Sequence, residues 1–349
     1  MGSFLIKRIG VMLLTALCLT YFVFFLTNLE PNLEKLTKSE GNMRMTDAQV
    51  DSWLENNGYR QPLIKRYGEW LGVAPGWVRT DEEGNTRGRC YKRGVSTAEE
   101  APKYCGILQG YWGHSLVFKE GIRGIITEKL GHTGILMFWV LMVMVPTALI
   151  IGVLAGMREG SRTDRSLSTF SILTTSTPEY VSGVILIVVF ASKLGGLRWF
   201  KGTSATAMEN VTFENFTLPV ITLALYGVGY IARMTRASMA EVMTEQYIRT
   251  ARLKGMSFGG VVMKHALRNA LIAPFTVIML QIPWLLTGVV IVETLFNYKG
   301  FGWTLVAAVG NNDIELLLAC SVVAVFVVLV TQLISDIGYV FLNPRIRMS

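Results

Sequence analysis

The chain is 349 residues long, 51% hydrophobic and 17% charged, with a formal net charge of +8. A charged fraction well below the average of about 25% argues against a soluble enzyme. No RNA- or DNA-binding motif is present, so the surplus of Lys and Arg reads as basic loops facing anionic lipid and not as a nucleic-acid surface. Several stretches reach the ~20 apolar residues that a bilayer crossing requires. The first, 9–29, follows Lys7 and Arg8; it is too long for the core of a signal peptide and no small-residue cleavage site follows, so it reads as a retained membrane helix. Residues 30–131 form a polar segment of domain size, in which charges of both signs mix with Trp53, Trp70, Trp77 and Trp112, a folded composition. Further spans are expected at 132–157, 167–192, 216–234, 269–296 and 315–342. Pro178 and Glu179 fall inside the third of the six spans, and Trp199 and Phe200 after it suit a membrane interface.

The expectation is an all-α membrane protein with six transmembrane helices and both termini on one side. Arg158, Arg162, Arg165, Arg233, Arg236, Arg345 and Arg347 lie on the side of the termini; the opposite short loops hold only Lys193, Arg198, Lys201 and Lys299. By the positive-inside rule the termini are cytoplasmic and 30–131 is exported. Cys18 and Cys320 lie in apolar runs and are expected to be buried small hydrophobes. Cys90 and Cys105 sit close together in the exported segment, where a disulfide between them is expected and would persist.

The polar stretch 241–268 interrupts the apolar pattern. Met239, Met243, Tyr247 and Ala251 recur every four residues, the strip of a helix. Glu241, Glu245, Arg249 and Arg252 take another face, with Glu245 four residues before Arg249 in the favourable order. Lys254 and Gly255 close the helix, and a second short helix over 258–268 leads back to the membrane.

This stretch resembles the cytoplasmic loop of ABC importer permeases, in which an EAA triplet is followed by Gly and then by I-x-L-P. Here Arg249-Thr250-Ala251, Gly255 and His265-Ala266-Leu267-Arg268 keep the Gly and Leu spacing, with Arg for Glu, His for Ile and Arg for Pro. The run RTARLKG followed by HALRNALIAP is similar to the version found in dipeptide, oligopeptide and nickel-type permeases. The resemblance extends to 111–136, 217–243, 292–313 and 335–347 and fails between about 71 and 109, which reads as an insertion. It departs from the family at Gly131 or His132, where a Pro is usual, and at Asn343, usually Asp.

The resemblance implies a type I ABC importer permease fold with three parts: 1–29 with the first helix, a periplasmic domain over 30–131, and a five-helix core over 132–349 whose coupling loop is 235–268. It implies coupling to an ATPase through Tyr247, Arg249, Thr250, Ala251, Gly255, His265 and Leu267. The implied partners are a second homologous permease, two ATPase subunits that carry ATP and Mg, and a periplasmic substrate-binding protein, all at a bacterial inner membrane. Di- and oligopeptides are the default cargo; nickel, glutathione, opines and oligosaccharides travel through related permeases.

The residues themselves offer no catalytic set and no Walker A loop, so no bound cofactor is expected. His114, His132 and His265 lack ligand spacing, and no metal site is expected. A lipid-facing carboxylate costs roughly 2.5–3.5 kcal/mol. Glu179 and Glu293 therefore face the bundle, a partner or the water interface, either lining a translocation path or holding structure. Gln281 contacts cargo or bonds another helix. The rival reading is a membrane-anchored receptor or assembly protein that acts through 30–131; a secondary transporter has less support, since no internal pairing of spans is visible.

Overall fold

The computed structural model describes residues 2–80, 86–90, 102–193 and 197–342. Arg345, Arg347, Asn343 and the linker 91–101 between the two cysteines lie outside them. The helices are α1 (Gly2–Thr27), α2 (Glu30–Glu40), α3 (Asp47–Asn56), α4 (Leu63–Leu71), α5 (Ile122–Gly156), α6 (Arg162–Ser176), α7 (Glu179–Phe190), α8 (Phe213–Thr244), α9 (Gln246–Leu253), α10 (Phe258–Val261), α11 (Leu267–Ala270), α12 (Ile272–Leu295), α13 (Phe301–Gly310) and α14 (Ile314–Leu342). A π turn, Val262–Ala266, joins α10 to α11. One hairpin pairs β1 (Val78–Thr80) with β2 (Thr86–Gly88), Val78 opposite Gly88. Among the described residues, five helices are long and apolar enough to cross a membrane, and the pair α6–α7 makes a sixth if counted as one span.

The third expected span is not one helix. α6 ends at Ser176, Thr177 is extended (φ −101°, ψ 121°), and α7 starts after Pro178 at 108° to α6. The ring of a proline disfavours helical backbone in the residue before it and suits the start of the next helix. α5 and α8 outrun their expected limits. α5 starts ahead of 132 because Ile122, Ile125 and Ile126 are buried and carry the helical pattern outward. α8 continues past 234 because Thr235, Met239 and Ala240 keep its buried face going.

The chain divides into two compact units. The first comprises 1–8, 128–306 and 327–349. Its core centres on α8: Leu218, Leu223 and Ile231 meet Leu136, Val140 and Met144 of α5 and Leu285, Val289 and Val292 of α12. α5 approaches α8 through Gly152 and Gly156, where an added Cβ would stand 2.6 Å from the Ala232 carbonyl oxygen and 2.5 Å from that of Arg236. Burying such side chains contributes roughly 1.5–3 kcal/mol apiece where water is the alternative; within lipid, close packing matters more.

The second unit comprises 9–127 and 307–326. Leu33, Leu36, Val50, Leu54, Tyr67 and Trp70 pack with Phe24, Ile314 and Leu318. Asp313 caps α14: its Oδ1 accepts from Leu316 N at 3.1 Å, while Oδ2 accepts from Ser115 Oγ at 2.6 Å and Leu116 N at 2.8 Å. Cys90 is bonded to Cys105, with 5.5 Å between their Cα atoms. Cys320 is buried, but Cys18 is exposed on α1, contrary to expectation, because the surface of that span is itself apolar. Cys90→Ser is expected to destabilise this unit by about 3 kcal/mol in the chain-entropy picture. Limited proteolysis should then cut within 30–127 sooner than in the parent; equal resistance would show that the bridge contributes little.

Candidate coupling site

The polar stretch opens not with one continuous helix from Met239 but with two, the end of α8 and then α9. Glu245 is extended (φ −63°, ψ 147°) and ends α8; its carbonyl accepts from Ile248 N at 3.1 Å and Arg249 N at 3.3 Å, starting α9. Met239 and Met243 therefore belong to the end of α8, and Tyr247 and Ala251 to α9. Gly255 closes α9 in the left-handed region at φ +79°, with its N–H on the Arg252 carbonyl at 3.0 Å. Ser257 then caps α10, its Oγ accepting from Gly260 N at 3.3 Å.

α9 is amphipathic, and its buried side rests on its own chain. Ile248 and Ala251 join Met239, Val261, Val262, Ala266 and Ala270 in one cluster, with Val153 and Met157 of α5 at its margin. Ala251, at 5% exposure, thus lets α9 approach α10 and α11 closely and offers little to a partner. The outward side carries Tyr247, Arg249, Thr250, Arg252 and Leu253. Leu253 is 80% exposed, an apolar side chain off the Met239–Ala251 strip that sequence reading passed over. Tyr247 OH accepts from Asn269 Nδ2 at 2.9 Å, tying α9 to α11. The Phe258 ring sits 5.2 Å from the Arg158 guanidinium and 5.7 Å from that of Arg252, within cation–π range. His265, in the π turn, and Leu267, at the start of α11, are half-buried.

Beside this segment lies an ion pair that sequence reading also missed. Arg236 of α8 grips Asp164 of α6 with both ends of its fork, Nε to Oδ1 at 2.6 Å and Nη2 to Oδ2 at 2.8 Å. Asp164 also accepts from Gly160 N at 2.8 Å and Ser168 Oγ at 3.0 Å, and its own N–H meets the capping Ser161 Oγ at 3.1 Å. The only local hint was a Ser161-to-Asp164 spacing at a helix start; the partner comes from far along the chain. Asp164 is buried, so replacing its carboxylate takes from Arg236 its two-pronged partner, leaving Glu159 at 3.6 Å, and weakens the hold on the Gly160 N–H. Asp164→Asn is expected to cost about 2 kcal/mol. A lower midpoint for heat-induced loss of monodisperse protein is the corresponding measurement, and an unchanged midpoint would refute the estimate.

The three polar residues considered for a path part company. Glu179 is half-buried in the first turn of α7, where a helix N-terminus favours a carboxylate. Its Oε1 would stand 3.6 Å from a Cβ added at Gly288 of α12. Gln281 is buried on α12. Glu293 is fully buried and tied into structure. Its Oε1 accepts from Thr133 Oγ1 of α5, and its Oε2 from Trp303 N at 3.0 Å, in the first turn of α13. Thr133 Oγ1 in turn accepts from Phe301 N at 2.8 Å. The carboxylate thus joins α5, α12 and α13, the structure-holding one of the two roles its place in the sequence allows.

Known proteins share this arrangement of sequence. A family model described as "Binding-protein-dependent transport system inner membrane component" matches residues 148–348. A probable peptide ABC transporter permease of Sinorhizobium fredii is 34% identical over 244 residues, covering 69% of this chain and 77% of the relative. A di/tripeptide transport system permease of Pseudomonas aeruginosa is 29% identical over 370 residues, 99% of each chain. An oligopeptide transport system permease of Bacillus subtilis is 29% identical over 311 residues, 87% of each. The matched segment holds α9, the Asp164–Arg236 pair and Glu293, and the chain belongs to the family of binding-protein-dependent transport system inner membrane components, as an ABC importer permease subunit.

Proposed function

We propose that this permease carries di- or oligopeptides, and that it does so as one of two homologous permeases served by two ATPase subunits and a substrate-binding protein. The peptide assignment draws on what the relatives are named for. The chain itself performs no chemistry in this reading; ATP and Mg are held by the partner subunits. Both termini and α9 lie in the cytoplasm, and the polar segment 30–131 on the opposite side, following the asymmetry of Arg and Lys.

The observation that carries the mechanism is the build of α9. It is an eight-residue helix set off by an extended residue at one end and a left-handed glycine at the other. One side is anchored in its own chain and the other, with Leu253 foremost, is free to meet a partner. An ATPase cleft that closed on ATP would push Tyr247, Arg249, Thr250 and Leu253. Ile248 and Ala251 would pass that push to the ends of α5 and α8 and onward through α11 to α12. His265 and Leu267 lie on this route.

The complex should contain one copy of this chain. Native mass spectrometry of a tagged complex purified from its own operon is expected to give this chain, a second permease and two ATPases; two copies of this chain would overturn the arrangement. Reconstituted with its binding protein, the complex should take up a labelled tripeptide when ATP is supplied. Uptake of Ni²⁺ and not of the peptide would overturn the cargo.

A further inference from the structure

The second unit encloses a cavity of about 340 Å³, within the ~300–1,000 Å³ range of small-molecule sites. No residue assigned to coupling or to a translocation path lines it. Its wall comes from α2, α3, α4, the end of β2, the segment 111–116 and the first turns of α14.

Two orphaned polar atoms belong to this wall. Glu69 of α4 is 2% exposed, and its Oε1 has no hydrogen-bond partner. Arg89, just after β2, has a buried Nε that is likewise unpartnered. Both residues line the cavity, and these two atoms do not satisfy each other. A buried polar group left unpaired costs about 1–3 kcal/mol, more when charged. Burial pushes the Glu69 carboxyl above its usual range, with Lys65 and Arg89 pulling the other way.

The remaining charges on the wall have other duties or add negative charge. Arg66 donates Nη1 to the Tyr59 carbonyl at 3.1 Å and Nη2 to Asn28 Oδ1, and its guanidinium lies 4.9 Å from the Tyr59 ring centroid. Glu315 Oε2 accepts from His114 N at 3.1 Å, and Glu40 adds another carboxyl. Trp70 and Trp77 supply flat apolar surface. Carboxylates beside aromatic rings favour an ammonium group, and the free guanidinium N–H requires an acceptor. A metal ion is a poorer occupant, because no three His, Cys, Asp or Glu side chains among the described residues are grouped to hold one.

We propose that this cavity binds a small zwitterion of the amino-acid or dipeptide class, its ammonium group on Glu69 and its carboxylate on Arg89. One molecule then satisfies both orphaned atoms. The site is a sensing or holding site separate from the groups that couple transport to ATP.

The test is binding by the full-length chain, purified with its copurifying subunits into nanodiscs and followed by tryptophan fluorescence. Alanyl-alanine should give a saturable change. Its N-acetyl derivative and its C-terminal amide should each bind at least about 10-fold more weakly. Glu69→Gln, which removes charge at nearly constant volume, and Arg89→Gln, which removes charge and shortens the side chain, should each weaken alanyl-alanine at least about 10-fold. No saturable change, equal binding of the three compounds, or unaltered binding by both variants would overturn the proposal. Because Glu69 and Arg89 line this cavity and belong to no coupling or path group, their variants separate binding here from binding of a peptide cargo elsewhere in the complex.

Discussion

Replacing Glu293 with alanine is expected to abolish accumulation of the folded chain. The carboxylate is buried where α5, α12 and α13 meet and accepts from Thr133 Oγ1 and Trp303 N, so its loss leaves two enclosed donors without partners. Each such loss costs about 1–3 kcal/mol. Together the two come to roughly 2–6 kcal/mol, a large share of the ~5–15 kcal/mol that holds a protein folded. The Glu293→Gln variant keeps one acceptor oxygen and the shape, so it should be intermediate. Size-exclusion profiles of tagged variants after stepped heating give the comparison. An alanine variant that matches the parent at every temperature would free Glu293 for a role on the path.

Gly255→Val should cut ATP-driven uptake at least about 10-fold while the chain still inserts and the complex still hydrolyses ATP. At φ +79° a β-branched side chain is strained, by roughly 1–2 kcal/mol for the left-handed region. Space is not the obstacle, since nothing lies within 4 Å of an added Cβ there. Asparagine tolerates this conformation, so Gly255→Asn should retain most uptake. The pair separates the backbone turn from mere crowding: normal uptake by the valine variant, or equal loss in both, would reject the role of the turn. Ala251→Asp is a poor companion, because that position is buried and a charge there would disrupt the cluster. Leu253→Asp places the charge on the exposed side of α9 and probes the partner contact instead.

Much of this architecture was legible from residue pattern. The apolar runs marked the crossings, Gly255 marked the end of α9, and the closeness of Cys90 and Cys105 marked their bridge. The break at Glu245 was hidden, because Met239, Met243, Tyr247 and Ala251 keep helical spacing on both sides of it, and Met239 of one helix and Ala251 of the other are buried in one cluster. The same spacing could not say whether Ala251 faces a partner or its own chain. Pro178 announced a disturbance, but the angle depends on how α6 and α7 pack against α8. Asp164 and Glu293 draw their roles from partners 72 and 160 residues away, a separation that local periodicity does not encode.

The bend between α6 and α7 bears on the lipid around it. At 1.5 Å per residue the two helices are about 22 and 18 Å long, and neither alone matches a hydrocarbon layer of about 30 Å. Set at 108°, they make at most a bent crossing, whose reach along the bilayer normal is shorter than the sum of their lengths. Their outer surfaces are nonetheless apolar, with Ile172 and Leu173 on one and Tyr180, Val184 and Ile185 on the other. A bilayer that wets this flank must thin locally, which costs fractions of a kcal/mol for each ångström of mismatch. A protein neighbour that covers the flank removes that penalty, so hydrophobic mismatch here favours assembly over a solitary chain in lipid.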